Sequence, residues 1–483
     1  MAEGFLQQQK GNDTMEEVGN EYFRELLSWS FFQQSPRNKL FFVMHDLVND
    51  LAQFASGEFC CRFEDGKLYG ISEKARHFAL STNRLDGPEK FVALQELKSL
   101  RTFLPLSFSN RAQCSALSKM VSDLYLPILK HLRVLSFSGQ AIHSGSRINE
   151  LGKLSHLRST LTISKLEYVV NAIDASKADL KSKNYLNELV FQWNSDTHEV
   201  QTETKVLDNL RPHENLKKLT IENYSATRFP NWLGDAIFAN MVFLRLSRCK
   251  KCMALPPLGQ LSSLQELRIS KMERLQKLDV MHQFGVLERL HISNSCESLE
   301  SLPSGIFTKL QYLHISYCGN LKSLSIQDMV LTFLQEIKIK DCLELESLPG
   351  GGCILAYHER GLHGTVSLTC FEIKGGCSNV KSFPEEGLLP NALTSLQISS
   401  LPNLEALNKG LQDLTSLETL EINDCEKLEL MPAGGLPTTL TSLLITECLL
   451  LGPRCQEGCV ERPKISHISG IHIFPIPDQV NEH

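Results

Sequence analysis

The sequence predicts an α/β solenoid, in which each repeated unit adds one strand to a long parallel sheet. One pattern, L-x-x-L-x-I-x-x-C followed by x-x-L-x-x-L-P, recurs ten times between Leu216 and Cys448. The units open at Leu216, Met241, Leu264, Leu287, Leu310, Leu334, Leu368, Leu393, Leu417 and Leu440. Most units are 23–25 residues apart, which is the period of leucine-rich repeats. Because one unit cannot bury its apolar face alone, we expect the units to stack into a horseshoe.

Length and charge agree with a repeat array and exclude other classes of protein. The chain has 483 residues, more than one hydrophobic core usually serves. Its net charge of −6 lacks the basic footprint of a nucleic-acid-binding protein. No run of about 18 apolar residues could span a membrane, and the polar residues 1–10 contain no apolar signal core. We therefore expect a cytoplasmic protein that neither crosses a membrane nor binds nucleic acid.

The cysteine positions predict buried structural thiols. Of 15 cysteines, seven follow the repeat frame at its ninth place or one residue later: Cys249, Cys296, Cys318, Cys342, Cys377, Cys425 and Cys448. This place is the Asn/Cys position of the repeat, and a free thiol behaves there as a small buried group. The alternative is zinc, because Cys249 and Cys252 form a C-x-x-C. No second pair stands at a zinc-site spacing, so we expect no metal site.

Residues 1–58 differ from the repeats and predict a small winged-helix module. Residues 16–27 have helical spacing of apolar side chains, and residues 40–44 are prone to form a strand after a turn at 36–38. Asp46 is placed to cap a second helix that Gly57 ends. The predicted order is therefore helix, strand, turn, strand and helix.

The rest of the chain divides into three predicted parts. Residues 59–131 form a connector and N-terminal cap with irregular leucines. Residues 132–460 hold about 13 repeats, including weaker units near 161 and 186 with a helix over 171–184 between them. A loop insertion widens the interval between Leu334 and Leu368. Residues 461–483 form a flexible tail.

The strand positions between the buried leucines predict a binding surface. Strand side chains alternate between faces, so these positions line the concave surface. They include Glu266, Arg268, Arg289, His291, Tyr312, His314, Glu336, Lys338, Lys340, Glu421 and Asn423. Such a mixture of charges suits a charge-complementary protein interface, although most of these side chains could be merely solvated. No catalytic motif occurs, so we expect no enzyme.

Several segments resemble plant coiled-coil-type NLR (NB-ARC leucine-rich-repeat) disease-resistance proteins. Residues 42–52, F-V-M-H-D-L-V-N-D-L-A, are similar to the MHD motif that ends the nucleotide switch of that family. Residues 17–23 and 26–33 resemble the helix and strand before it. Residues 189–193, 229–233 and 255–261 resemble segments of the family's repeats. The resemblance covers nearly the whole chain.

This resemblance implies roles for two residues of the motif. His45 would lie near the phosphates of bound ADP, and Asp46 would orient the region. The alternative is an ordinary histidine beside a helix cap. The sequence contains no G-x-x-x-x-G-K-[ST] loop, so we expect no cofactor in this chain, although full-length relatives bind ADP or ATP. Residues 1–6 resemble a mid-protein stretch, which makes the chain a truncated receptor in which residues 1–58 are a remnant of the switch.

The resemblance also implies a function. The repeats would recognise pathogen effectors or guarded host proteins and regulate a nucleotide switch that is largely missing here. A further partner would be the NB-ARC domain of a related receptor. The alternatives are a substrate adaptor of a ubiquitin ligase, with residues 1–58 as its F-box, an extracellular receptor domain, and a receptor remnant without function.

Overall fold

The computed structural model describes most of the repeats and part of the N-terminal region. The described residues are 15–35, 42–64, 67–70, 72–81, 96–107, 129, 131–135, 142–143, 148–193, 200–275, 284–295, 301–302, 306–324, 332–345, 365–378, 380–384 and 386–474. The chain divides into two units. The first unit contains residues 1–192 and 209–213, and the second contains residues 193–208 and 214–483.

The structure has the following helices and strands in chain order. The α-helices are α1 (Met15–Ser28), α2 (Asp46–Ser56), α3 (Ala172–Lys177), α4 (Val200–Asn209) and α5 (Leu451–Arg454). The strands of the first unit are β1 (Phe32–Gln34), β2 (Phe42–Met44), β3 (Cys60–Glu64), β4 (Lys67–Tyr69), β5 (His77–Ser81), β6 (Thr102–Ser107), β7 (Val134–Leu135), β8 (Ile142–His143), β9 (Ser159–Ser164) and β10 (Leu186–Gln192). The strands of the second unit are β11 (Lys218–Glu222), β12 (Phe243–Ser247), β13 (Glu266–Ser270), β14 (Arg289–Ser293), β15 (Ser301–Leu302), β16 (Tyr312–Ser316), β17 (Ser323–Leu324), β18 (Glu336–Lys340), β19 (Cys370–Lys374), β20 (Ser382–Phe383), β21 (Ser395–Ser399), β22 (Ala406–Leu407), β23 (Thr419–Asn423), β24 (Ser442–Thr446) and β25 (Gly470–Phe474).

The N-terminal segment has the predicted order of helices and strands. Helix α1 precedes the antiparallel pair β1–β2, and α2 follows. The ring of Phe23 lies 5.2 Å from that of Phe32 and 5.0 Å from that of Phe42, so these three aromatic side chains hold the helix to the hairpin. The predicted turn at 36–38 lies outside the described residues.

The cap of α2 differs from the prediction. The helix begins at Asp46 itself, and His45 precedes it as the N-cap. The His45 Nδ1 atom accepts a hydrogen bond of 3.3 Å from the backbone N–H of Leu47. An imidazole nitrogen therefore does what the carboxylate was expected to do, and Asp46 stands in the first turn, where a negative charge favours the helix dipole. Gly57, with φ of 45°, ends the helix as predicted.

The remainder of the first unit consists of parallel strands that begin before residue 132. Strands β3, β5, β6 and β7 pair in parallel in that order, and β4 adds an antiparallel edge. The buried rings of Phe78 and Phe103 lie 5.1 Å apart beneath them. Strands β8, β9 and β10 also pair in parallel.

The helix predicted over 171–184 is shorter than expected. Helix α3 ends at Lys177, and a single 3₁₀ turn follows at Leu180–Ser182. Asp179 interrupts the helix because its backbone is left-handed, with φ of 47°. The chain then turns Lys183 inward, where its Nζ donates to the carbonyls of Leu151 at 2.7 Å and Leu154 at 3.1 Å.

The second unit is a leucine-rich-repeat solenoid, which confirms the predicted fold class. Its main sheet is parallel, in the order β11, β12, β13, β14, β16, β18, β19, β21, β23, β24 and β25. Each residue pairs with its equivalent one repeat later, so that Leu244 faces Leu267 and Leu267 faces Leu290. These leucines are at most 1% exposed. The aligned apolar side chains therefore form one continuous core along the array.

A left-handed residue follows each strand of this sheet from β11 to β24. The residue after the strand has a φ near 50°, as at Arg248, Lys271 and Asp424. Its N–H donates to the last carbonyl of the next strand, for example from Arg248 to Ser270 at 2.7 Å. The chain thereby leaves the sheet and directs the ninth residue of the repeat inward.

The thiols at this ninth place are buried, as predicted. Cys249, Cys318, Cys342, Cys377, Cys425 and Cys448 are at most 5% exposed, and Cys296 lies outside the described residues. Cys249 Sγ donates to the carbonyl of Ser247 at 3.5 Å, and Cys252 Sγ donates to that of Ala226 at 3.0 Å. Burial raises the pKa of the Cys249 thiol to about 12, which keeps it protonated as a donor.

No helix among the described residues is long and apolar enough to cross a membrane.

Candidate functional site

The predicted binding residues lie on one face of the main sheet of the second unit. We call this surface the exposed face; it consists of the first, third and fifth residues of the strands β12, β13, β14, β16, β18, β19, β21, β23 and β24. On β13, β14, β16 and β18 the second and fourth residues are buried, and the other residues are partly exposed, except Arg268, which is exposed. Nine predicted residues, from Glu266 to Lys340, fall on these four adjacent strands. Glu421 and Asn423 lie on β23, three strand spacings from β18, which corresponds to about 14 Å.

The central positions of the strands form one column across the sheet. Arg268 faces His291, His291 faces His314, and His314 faces Lys338. The two imidazole rings meet edge to face with centroids 4.6 Å apart. A second column holds Glu266, Arg289, Tyr312 and Glu336 at the first positions of the same strands. These two columns thus place on one surface residues that are up to 72 positions apart in the sequence, from Glu266 to Lys338.

Ion pairs connect the two columns. Arg268 Nε lies 2.5 Å from the carboxylate of Glu266, and Lys338 Nζ lies 3.1 Å from that of Glu336. The carboxylate of Glu336 is also hydrogen-bonded to His314. Burial would raise the pKa of Glu336, but the hydrogen bonds from His314 and Lys338 outweigh it and lower that pKa. The guanidinium of Arg289 lies over the ring of Tyr312, 4.9 Å from its centroid. These contacts order the long side chains before any partner binds.

His291 is held in its neutral form. Its burial, followed by the neighbouring His314 and Arg268, lowers its pKa to about 4 despite the nearby carboxylate of Glu266. An imidazole with that pKa carries no charge at neutral pH. The column therefore holds an uncharged ring at His291, next to the guanidinium of Arg268.

The structure adds two candidate residues to those predicted from the sequence. Arg245 extends the central column by one strand, because it faces Arg268. Glu372 continues the column on β19 beyond Lys338. Arg245 and Glu372 occupy the same central strand position as Arg268, His291, His314 and Lys338. The repeat spacing in the sequence is therefore enough to predict them. Glu372 is 8% exposed and lies 2.6 Å from Lys340 Nζ.

A groove of about 440 Å³ follows this column. It extends from Arg245 on β12 to Lys340 on β18. The polar residues that line it are Arg245, Arg268, Ser270, His291, Ser293, His314, Ser316, Lys338 and Lys340. The lining therefore contains cations, imidazoles and hydroxyls, but no carboxylate.

The later part of the exposed face has a different character. Asn423 Nδ2 donates to Ser399 Oγ at 3.3 Å, and Asn423 also accepts from Thr446. Glu421 stands beside Gln397 in the central column. The exposed face therefore changes from basic on β12–β18 to neutral and acidic on β19–β24.

The motif residues His45 and Asp46 do not by themselves fit a nucleotide. His45 Nδ1 already accepts from the N–H of Leu47, so only Nε2 could donate to a phosphate oxygen. Asp46 occupies the first helical turn, where its carboxylate would repel a phosphate. One ring nitrogen beside a carboxylate is too little to hold ADP, and we assign no nucleotide chemistry to this segment alone.

Comparisons with known proteins agree with the resemblance stated from the sequence. Residues 1–52 match the family model described as the disease resistance protein winged helix domain. Residues 148–272 match the model of the R13L1/DRL21 leucine-rich repeats. An F-box, the alternative for the N-terminal residues, has no support from these matches.

Two relatives illustrate how much of a longer protein the chain covers. It is 32% identical to the putative disease resistance RPP13-like protein 1 of Arabidopsis thaliana, over 93% of this chain and 53% of that protein. It is 29% identical to the disease resistance protein RGA2 of Solanum bulbocastanum, over 71% of this chain and 41% of that protein. The chain therefore spans about half the length of the first relative and less than half the length of the second.

Proposed function

Because this chain carries the winged helix domain and leucine-rich repeats of plant disease resistance proteins, we propose that it is a cytoplasmic component of a plant immune receptor. In this proposal the exposed face of the repeats binds a protein, which is either a pathogen effector or a host protein that the receptor guards. The observation that carries it is the sheet face itself, on which ordered charged side chains stand partly exposed on adjacent strands. A flat, open surface of this kind suits a macromolecule better than a small substrate.

The chemistry of the face supports a protein partner. Arg, Tyr and His are side chains that protein interfaces use as anchors. Arg289 and Tyr312 stack on each other, so little conformational freedom is lost when a partner covers them. The change along the face, from basic on β12–β18 to neutral and acidic on β19–β24, would fix the orientation of the partner.

Residues 1–58 have a second role in this proposal. We propose that they form the end of a nucleotide switch, to which another polypeptide segment would have to supply the phosphate-binding loop. The NB-ARC domain of a related receptor is the partner that could do so. His45 and Asp46 would then define the start of α2 next to the nucleotide, with His45 Nε2 as the available donor.

Binding of defined effectors tests the proposal. The full chain would be used to retain purified effectors of plant pathogens and their known host targets, one at a time. We expect at least one to be retained, and to be lost when Arg289, Tyr312 and Glu421 are all replaced by Ala. A control variant carries Ala at Lys381, Lys409 and Lys427, which lie outside the exposed face. The proposal would be contradicted if the native chain retained none of these proteins. It would also be contradicted if the native chain, the variant and the control retained them equally.

A further inference from the structure

The groove on the exposed face separates positive from negative charge. Four permanent cations line it, namely Arg245, Arg268, Lys338 and Lys340. Their carboxylate partners Glu222, Glu266, Glu336 and Glu372 all stand outside the lining. The eight groups sum to no net charge, so the preference of the groove for an anion comes from their arrangement. A ligand inside the groove meets cations, imidazoles and hydroxyls, but no carboxylate.

These donors remain available although the cations have partners. Arg268 uses its Nε for Glu266, and a guanidinium has four further N–H donors. Lys340 makes one close contact, to Glu372, and an ammonium has three donors. A carboxylate from a partner can therefore bind the donors that Glu266 and Glu372 leave unused.

The floor of the groove offers hydroxyl groups. Ser270, Ser293 and Ser316 occupy the last positions of three adjacent strands. Ser270 Oγ donates to Ser247 Oγ at 2.9 Å. Within the described part of the chain, the hydroxyls of Ser293 and Ser316 have no hydrogen-bond partner, so they can donate to a ligand lying over them.

The length of the groove selects the shape of its ligand. From Arg245 to Lys338 the central column crosses five strands, which corresponds to about 19 Å at the spacing of a sheet. Six residues of extended chain span about the same length. The cations lie at the two ends, and the imidazoles of His291 and His314 lie in the middle.

We propose that this groove binds an extended acidic segment of about six residues in the protein partner, with carboxylates at both ends and uncharged residues between them. The segment lies across the strands, its end carboxylates on the Arg245–Arg268 and Lys338–Lys340 pairs. Its middle residues lie on the imidazole pair and the serine hydroxyls. The inference rests on the proposed function, of which it specifies the partner's chemistry.

Fluorescence anisotropy with labelled hexapeptides tests this assignment on the full chain. The probe is Glu-Glu-Gly-Ser-Glu-Glu. The first control peptide, Gly-Glu-Glu-Glu-Glu-Ser, has the same composition but carries its four glutamates in the middle. The second, Lys-Lys-Gly-Ser-Lys-Lys, keeps the spacing of the probe and reverses the sign of its charge. We expect the probe to bind at least about 3-fold more tightly than the rearranged peptide, and the lysine peptide not to bind. Equal binding of the two acidic peptides would overturn the proposed charge spacing.

Charge reversal locates the binding. The variant Arg268→Glu with Lys338→Glu should weaken binding of the probe by about 10-fold or more. A milder variant, Arg268→Gln with Lys338→Gln, keeps the fold if the reversal disturbs it, and should weaken binding by about 3-fold or more. The control reverses Lys381 and Lys427, which are exposed but lie outside the groove, and should bind like the native chain. Unchanged binding in both groove variants, with native circular dichroism, would refute the site.

Two further outcomes separate this inference from its alternatives. A labelled hexathymidylate that binds as tightly as the probe, and is displaced by it, would show a general polyanion site and refute the preference for an acidic peptide. An effector or host protein that the groove variants retain as well as the native chain would refute the groove's role and leave the proposed function intact. Probe binding without any retained protein would support the groove and contradict the proposed function.

Discussion

Lys183 is a charged residue placed where the fold offers only carbonyls. Its side chain is 0% exposed, and the Nζ atom donates to Leu151 and Leu154. Burial lowers its pKa to about 8, although the negative charge of Asp179 opposes this shift. An ammonium in such a place costs stability that an uncharged amine would not.

The buried lysine should make the free energy of unfolding depend on pH above neutrality. The pKa is about 8 when folded and near 10.5 when unfolded, so the unfolded state binds more protons between these values. The contribution of Lys183 to the free energy of unfolding therefore rises as the pH increases from about 8 to 10.5. We expect the free energy of unfolding of the native chain, minus that of Lys183→Met, to increase by about 1–3 kcal/mol from pH 7.5 to pH 10. Urea titrations at both pH values measure it, and a constant difference would contradict the lowered pKa.

His291 predicts sensitivity to acid by the same reasoning. The folded pKa is about 4, against 6.5 for the free side chain, so the unfolded state binds more protons in this window. The stability contribution is complete above pH 6.5 and is lost as the pH falls toward 4. The native chain should lose about 1–3 kcal/mol more than His291→Gln between pH 7 and pH 4.5. Glu266, Arg268, Arg289 and His314 surround the ring in both proteins, so their own titration largely cancels.

At the scale of elements, the turn after each strand explains where the ninth residue points. In the repeat that begins at Leu368, Cys377 stands one residue later than the frame requires. Gly375, Gly376 and Cys377 all have positive φ, of 64°, 69° and 50°. These three left-handed residues absorb the extra position, and the thiol still reaches the core at 1% exposure. At Gly376 this left-handed backbone also lies against the carbonyl of Cys342, which leaves no room for a side chain.

A methyl group at Gly376 should therefore disrupt this turn. A Cβ atom there would lie 2.2 Å from the carbonyl oxygen of Cys342, which belongs to the backbone and cannot move aside. We expect Gly376→Ala to lower the free energy of unfolding by about 2–4 kcal/mol. Gly285→Ala is the control, because its Cβ would meet nothing within 4 Å and its φ is not left-handed. Chemical denaturation of the two variants should show at most about 1 kcal/mol for the control. Similar losses in both would refute the steric argument.

The repeats and the N-terminal strands differed in how far the sequence could predict them. The leucine and isoleucine spacing predicted the main-sheet strands from β11 to β24 in their register, because a slip of one residue would expose every apolar side chain. Strands β3 and β5 were not predicted, since their short apolar runs lack the L-x-x-L frame. His45 was not predicted as a cap because histidine is not among the usual capping residues. The groove depends on which way the glutamates turn, and the repeat frame does not contain that information.

At the scale of the whole repeat array, the second unit is a one-dimensional stack. Each strand of its main sheet pairs only with the strands of the neighbouring repeats. In such a stack the stability is a sum of repeat terms and neighbour terms, and the ends can unfold without the middle. The cost of a core substitution should therefore depend on where along the array it stands, even when the local packing is the same.

Leu290 and Leu443 provide a matched pair to test this dependence. Both are 0% exposed and occupy the second position of their strands, β14 and β24, but Leu443 lies one strand from the last strand of the sheet. Truncation to Ala costs about 2–5 kcal/mol at either site. Leu290→Ala should shift the midpoint of the main urea transition, because the damaged repeat interrupts the stack between intact neighbours on both sides. Leu443→Ala should leave that midpoint nearly unchanged and instead produce an early transition of small amplitude and small m-value, as the terminal repeats unfold alone. Circular dichroism follows the whole array, and equal shifts of a single transition with the same m-value would mean that the second unit unfolds as one cooperative domain.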